Sequence, residues 1–325
     1  MYYHMLMKKL ILSSILIILT SLTANSAKYA GEAFSLGVGG RSLALGGATI
    51  AGPFDASAGY WNPAGLVTLG NRSAIAMHAE TFGSLLNHDF LGYVDARPKE
   101  NAKIKAFGFY LYYLGGGGIK ITQLNQFDRP EVIREESHGD YLLTGSVAGN
   151  LTDKLDFGLT AKIIYRDIGT ETGKGLTLDA GLLYRYSPAI QVGLMVTDIT
   201  TGFIRYSGKT FDTGANSESI YPTVKPGLML THLLNDFTGR FLMSGDIKFE
   251  NIKYAAQYWS GPLSLDTHFG WELAYKEILF GRTGFDIGRF TAGGGIHVNK
   301  LSLDFAYLNH DDLDETYRIS AGFIF

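Results

Sequence analysis

From Ser73 to Phe325, apolar and polar residues alternate with a period of two, the mark of strands with one face covered and one face polar. Leu155, Phe157, Leu159, Ala161, Ile163 and Tyr165 share one parity, and Asp156, Gly158, Thr160, Lys162 and Arg166 the other. Leu265, Thr267, Phe269, Trp271, Leu273 and Tyr275 repeat the pattern against Asp266, His268, Gly270 and Glu272. About fourteen such segments follow one another, near 73–80, 90–97, 103–114, 139–150, 155–168, 175–186, 190–199, 223–233, 238–250, 264–275, 278–285, 290–298, 301–309 and 316–325. Each is about ten residues long, beyond the usual soluble strand and close to what a tilted strand needs to cross a bilayer.

The connections sharpen this. Every second one is tight, as at Leu151–Lys154, Ser187–Ala189 and Asn299–Lys300, while Gly115–His138 and Thr200–Pro222 read as long loops. Short turns at one end and longer loops at the other predict an all-β, transmembrane antiparallel barrel of the outer-membrane type. Closure removes the open edges that hydrocarbon would not tolerate. On the last strand, Tyr317, Ile319, Ala321, Phe323 and the terminal Phe325 project to one side. An amphipathic strand ending in an aromatic resembles the signal read by barrel-assembly machinery, which is one expected partner; outer-membrane lipid is the other.

Two segments break the alternation. Lys8–Lys9 precede the uncharged run Leu10–Leu22 and the small residues Thr23–Ala27, the layout of a cleaved signal peptide over residues 1–27. Thirteen residues of helix, at 1.5 Å each, fall short of a ~30 Å hydrocarbon core. Ala24, Ser26 and Ala27 leave the cleavage point open. Residues 28–72 are rich in Gly and Ala, yet carry too many large apolar residues (Phe34, Leu43, Leu45, Ile50, Tyr60, Trp61) for a solvated tether. They are expected to form a compact plug, with the barrel running from 73 to 325.

Composition agrees. The 41 glycines among 325 residues are nearly twice the usual ~7%. Charged residues make up 18%, and 28 Lys+Arg against 31 Asp+Glu leaves −3. That near-neutral balance argues against nucleic acid as a partner. The absence of cysteine excludes a disulfide framework, a thiolate zinc site and a lipid-modified N-terminal cysteine.

The runs "AGEAFSLGVGGRSLALGGATIAG" and "DASAGYWNPAGL", followed by "NHDFLGYV" at Asn87–Val94, resemble the PorV/PorQ proteins, relatives of the FadL-type outer-membrane transporters. The element Tyr60–Leu66 is the most specific part. The resemblance is sharp over about residues 30–95 and architectural beyond. It implies a fourteen-stranded barrel with an N-terminal hatch folded inside, and hatch or gating roles for Tyr60, Trp61, Asn62, Pro63, Ala64 and Gly65. Where the family often carries an acidic pair, Gly52–Pro53–Phe54 precedes a single Asp55. Pro63 forces Asn62 out of the helical region, and Asn62 can turn its amide onto local backbone.

No enzyme site emerges, and no cofactor or metal is expected. Gly115–Gly118 lacks the Lys-Ser/Thr of a phosphate-cradling loop. No G-x-S-x-G elbow is present, and His78, His88, His138, His232, His268, His297 and His310 are scattered without metal spacing. Asp311, Asp312, Asp314 and Glu315 read as a solvated loop in preference to a calcium site. Polar-parity positions carry both signs: Asp156, Lys162, Asp179, Asp246, Glu272, Asp304 and Arg318. The third segment is apolar on both faces, so Phe107, Phe109, Leu111 and Tyr113 are assigned to an apolar lumen. The expected function is passive uptake of hydrophobic, fatty-acid-like small molecules, gated by the hatch. The alternatives are a PorV-like scaffold or shuttle for secreted proteins in type IX secretion, or a structural barrel or pore.

Overall fold

The structure is a computed structural model and describes residues 31–97, 102–169, 171–207, 217–249, 256–310 and 314–325. The signal-peptide segment and the acidic pair Asp311–Asp312 lie outside these residues, as does the middle of Thr200–Pro222.

Alternation at period two becomes one continuous antiparallel sheet. Its strands are β1 (Arg72–Thr81), β2 (Leu86–Asp95), β3 (Ile104–Leu124), β4 (Pro130–Asn150), β5 (Leu155–Asp167), β6 (Thr172–Ser187) and β7 (Ile190–Thr197). Then come β8 (Gly202–Tyr206), β9 (Ser217–Ile220), β10 (Thr223–Leu234), β11 (Phe237–Lys248), β12 (Tyr258–Ser260) and β13 (Leu263–Tyr275). The chain ends with β14 (Leu279–Asp286), β15 (Arg289–Val298), β16 (Leu301–Leu308) and β17 (Thr316–Ile324). Strands β8, β9 and β12 belong to the connections, and the other fourteen form the wall. Strand β17 pairs with β1 from Ser73↔Ile324 to Glu80↔Tyr317, so the barrel closes.

Parity sorts the side chains as a membrane wall requires. Leu159, Ile163, Leu303 and Ile319 are exposed on the outer surface, while Asp156, Thr160, Asp304 and Arg318 on the same strands are buried inside. An apolar band of this extent is unfavourable in water and satisfied by lipid.

The long connection expected at Gly115–His138 is instead mostly strand. Strands β3 and β4 continue to Leu124 and from Pro130, with pairing out to Leu124↔Pro130. The register shift between Gly116 and Ile119 explains why alternation appeared to stop at the four glycines. Similarly, Thr200–Pro222 contains the hairpin β8–β9, which pairs with the outer end of β6.

Residues 31–71 lie inside the wall. They form two short helices, α1 (Gly40–Ala44) and α2 (Ala58–Trp61), and 3-10 turns at Glu32–Phe34 and Pro63–Thr68. Helix α1 packs on β14–β17, and the Pro63–Thr68 turn packs on β4–β6, so the segment spans the lumen. Several wall glycines serve this fit. A methyl group on Gly158 would strike Pro63, one on Gly181 would strike Asn62, and one on Gly193 would strike the Ile50 carbonyl. On the opposite wall, Gly270 and Gly284 leave room in the same way for Leu45 and Gly46. Inward glycines thus sit where segment backbone meets strand backbone, with no side chain between them.

Candidate functional site

The "YWNPAG" element divides into two parts. Asn62 is fully buried and uses its amide completely: Nδ2 donates to the Ile50 carbonyl at 2.9 Å and to Leu182 O at 3.1 Å, and Oδ1 accepts from Ala64 N at 3.1 Å. One side chain therefore ties the turn to its own segment and to β6. Pro63 opens the 3-10 turn, where its missing N–H costs nothing, and Gly65 lies under the Phe54 ring. Asn62, Pro63, Ala64 and Gly65 form an anchor. Tyr60 and Trp61 instead face open space. Tyr60 donates to Phe34 O at 2.7 Å and accepts from Gly37 N at 3.1 Å, while Trp61 Nε1 donates to Val38 O at 3.0 Å. Burial pushes the Tyr60 phenol well above its ordinary range, so it remains a neutral donor.

That open space is a cavity of about 120 Å³ between the inner segment and the wall. One side is aromatic. Phe34, Tyr60 and Trp61 from the segment meet Phe90, Tyr110 and Tyr112 from β2 and β3. Tyr60 stacks parallel to Tyr112 at 6.4 Å between ring centres, and Phe34 meets Tyr112 edge-on at 5.7 Å. The other side is polar and internally paired. Lys162 Nζ lies 2.7 Å from both Asp179 and Asp198, Lys225 is 2.6 Å from Asp246, and Lys248 is 3.2 Å from Glu32.

The assignment of Phe107, Phe109, Leu111 and Tyr113 to the lumen is corrected by the structure. Phe109 is 60% and Leu111 41% exposed on the outer face, and the inward set on β3 is Ala106, Tyr110, Tyr112 and Leu114. Because both parities of this strand are apolar, alternation carried no information about which one faces in. Tyr317, Ile319, Phe323 and Phe325 are all outward and exposed. Phe325 packs edge-on against Phe323, and its amide donates to Arg72 O at 2.9 Å, joining the chain end to β1.

A second cluster lies across the lumen. Arg41 of α1 grips Glu272 with two hydrogen bonds, Nε to Oε2 at 2.9 Å and Nη2 to Oε1 at 2.8 Å. Glu272 also accepts from Arg240 and Arg282, and Arg282 reaches Asp304 at 2.6 Å. Glu272 and Asp304 stood out as inward charges in the sequence, but Arg41 did not, because residues 28–72 have no periodicity to assign it a face. Arg318 is fully buried, donates to Leu36 O at 3.1 Å, and leaves Nε and Nη1 without a protein acceptor. Among the described residues, no group of three His, Asp or Glu is arranged to hold a metal.

No family model and no curated protein matches the chain. Solved structures do match. The CymD monoaromatic hydrocarbon channel is 14% identical, with a TM-score of 0.55 over 89% of this chain and 98% of that one. The Pseudomonas putida toluene transporter TodX is 12% identical, with a TM-score of 0.52 over 88% of this chain and 96% of that one. At these identities the likeness is one of fold. The fold and the lumen together define a fourteen-stranded β-barrel of the outer-membrane type. Its structural neighbours are channels and transporters in place of enzymes.

Proposed function

We propose that the protein is a passive uptake channel for small hydrophobic compounds, with residues 28–72 as the hatch. The observation that carries this reading is the aromatic-sided cavity held between the inner segment Gly31–Trp61 and the β2–β4 wall. Its ~120 Å³ is on the scale of the ~150 Å³ cavity known to hold benzene. The ligand moves down its gradient as the hatch shifts. Single-ring hydrocarbons, for which the CymD and TodX channels are named, and fatty-acid-like amphiphiles both belong to this class. Tyr60 and Trp61 contact the solute, and Asn62–Gly65 hold the hatch to β6. Uptake of labelled toluene and a labelled fatty acid into cells carrying the protein in the outer membrane tests the reading. Rates equal to those of cells without it would end the channel proposal, and equal rates for wild type and a hatch deletion would end the gating.

The protruding ribbon of β3 and β4 favours a second reading, a scaffold for secreted proteins. Beyond Gly116 and before Gly139 neither strand pairs with a further strand among the described residues, so both edges offer backbone groups to an extended partner. Cross-linking in native membranes separates the readings, since a stoichiometric protein partner at Gly117–Ser137 belongs to the scaffold alone.

A further inference from the structure

We propose that the cavity selects neutral, single-ring solutes bearing a hydroxyl group, and that the cross-strand pair Thr197 and Thr223 receives that hydroxyl. This rests on the reading of the cavity as the solute site and adds the chemical class of its occupant.

The polar side decides the class. Three lysines and four carboxylates line the cavity, Lys162, Lys225 and Lys248 against Glu32, Asp179, Asp198 and Asp246, giving 3 − 4 = −1. Every one of these charges is already in an ion pair with another of the set. An ionised carboxylate meets a wall with no free cation and a net negative balance. A ligand ammonium group has to compete with a lysine for every one of these carboxylates, the two that Lys162 holds at 2.7 Å included. A neutral head group disturbs none of these pairs. Arg318, buried with Nε and Nη1 unpaired among the described residues, is outside the lining, and its Nη2 donates to the Leu36 carbonyl.

Hydrogen-bonding capacity remains at the threonines. Thr160 is occupied, donating to Gly59 O at 3.2 Å, and Thr144 stands opposite Tyr110 and Lys162, so it offers a single hydroxyl and no threonine pair. Thr197 and Thr223 face each other across β7 and β10, both line the cavity, and neither hydroxyl has a side-chain hydrogen bond among the described residues. Directly opposed residues have Cβ atoms about 5 Å apart, so one solute hydroxyl can donate to one threonine and accept from the other. The ring then lies toward Tyr60, Trp61 and Tyr112. An unsubstituted hydrocarbon fills the same aromatic side but leaves both threonines unused.

The chain has three tryptophans, and Trp61 alone lines the cavity, so the W259F/W271F protein makes its fluorescence the reporter. The full chain in detergent is titrated with 4-ethylphenol, ethylbenzene, 4-ethylbenzoate and 4-ethylbenzylammonium. The expected order places 4-ethylphenol about fivefold to tenfold tighter than ethylbenzene, the yield of one or two net hydrogen bonds. Both ions are expected at least about tenfold weaker than the phenol. In T197V/T223V, which keeps the side-chain shape, the phenol falls to the hydrocarbon's affinity while ethylbenzene is unchanged. An ion that binds as tightly as the phenol, a valine pair that keeps the phenol's advantage, or no quenching by any ligand overturns the proposal. The titration requires no transport. Cells that fail to take up toluene would therefore end the channel reading and leave the ranking of the four ligands to stand or fall on its own.

Discussion

At the scale of single residues, the lumen is built from two opposite devices, absence of side chain and concentration of charge. Gly181 is an example of the first. Valine there would place carbons on the Asn62 amide and Pro63, displacing the anchor turn. Gly181→Val is expected to cost about 1–3 kcal/mol through overpacking. Protease cleavage within residues 31–69 should rise, while the heat-modifiable gel shift of the folded barrel persists. Glu272 is an example of the second. It pairs with Arg41, Arg240 and Arg282 in a buried site, and removing one partner from such a group typically costs about 3–5 kcal/mol. Glu272→Ala should lower the stability of the lipid-folded barrel by that amount in urea titration. Arg41→Ala should free α1 at a smaller cost, since Glu272 keeps two arginines.

At the scale of elements, each segment's amphipathicity was matched to its neighbours more closely than to an isolated strand. Strand β17 completes the barrel through pairing with β1 and β16, and its outward aromatics continue past the last strand residue to Phe325. We expect Phe325→Ala to slow membrane assembly severalfold in a pulse-chase of barrel folding, with little change in the final stability. The β3–β4 ribbon behaves differently. A two-stranded ribbon without a covering layer contributes little independent stability. Replacing Gly117–Ser137 by a short turn should leave the urea midpoint within about 1 kcal/mol of wild type. Solute uptake should also survive, because no ribbon residue beyond Gly116 lines the cavity.

At the scale of the molecule, closure and filling are linked. An outer surface carrying Leu303, Phe305, Ile319 and their neighbours is stable only against lipid or detergent, so the mature protein should lose monodispersity in size-exclusion chromatography once detergent is removed. Inside, the segment is held unequally. Its α1 side is clamped by the Arg41–Glu272 cluster, and its far side borders the cavity through Phe34, Tyr60 and Trp61. Under the proposed gating, movement is expected at Phe34, Tyr60 and Trp61 beside the cavity, with α1 and the Asn62–Gly65 turn as fixed points.

Strand number and the outward parity of most segments were legible in the sequence, because a lipid-covered wall imposes period two on every strand that crosses it. The turn at Asn62–Gly65 was also legible, since Pro63 and Asn62 constrain the backbone locally. Tertiary structure alone decided which face of β3 lines the cavity, since Phe109 and Tyr110 are equally apolar and only their distance from the inner segment separates them. It alone decided that Gly158, Gly181 and Gly270 are seats for that segment, and that Arg41 meets Glu272 across 231 positions of chain. Local pattern reports the solvent a residue faces, and lipid on one side imprints itself at every second position. A contact between a non-periodic segment and the far wall is set by how the closed barrel brings them together, and no short-range pattern records it.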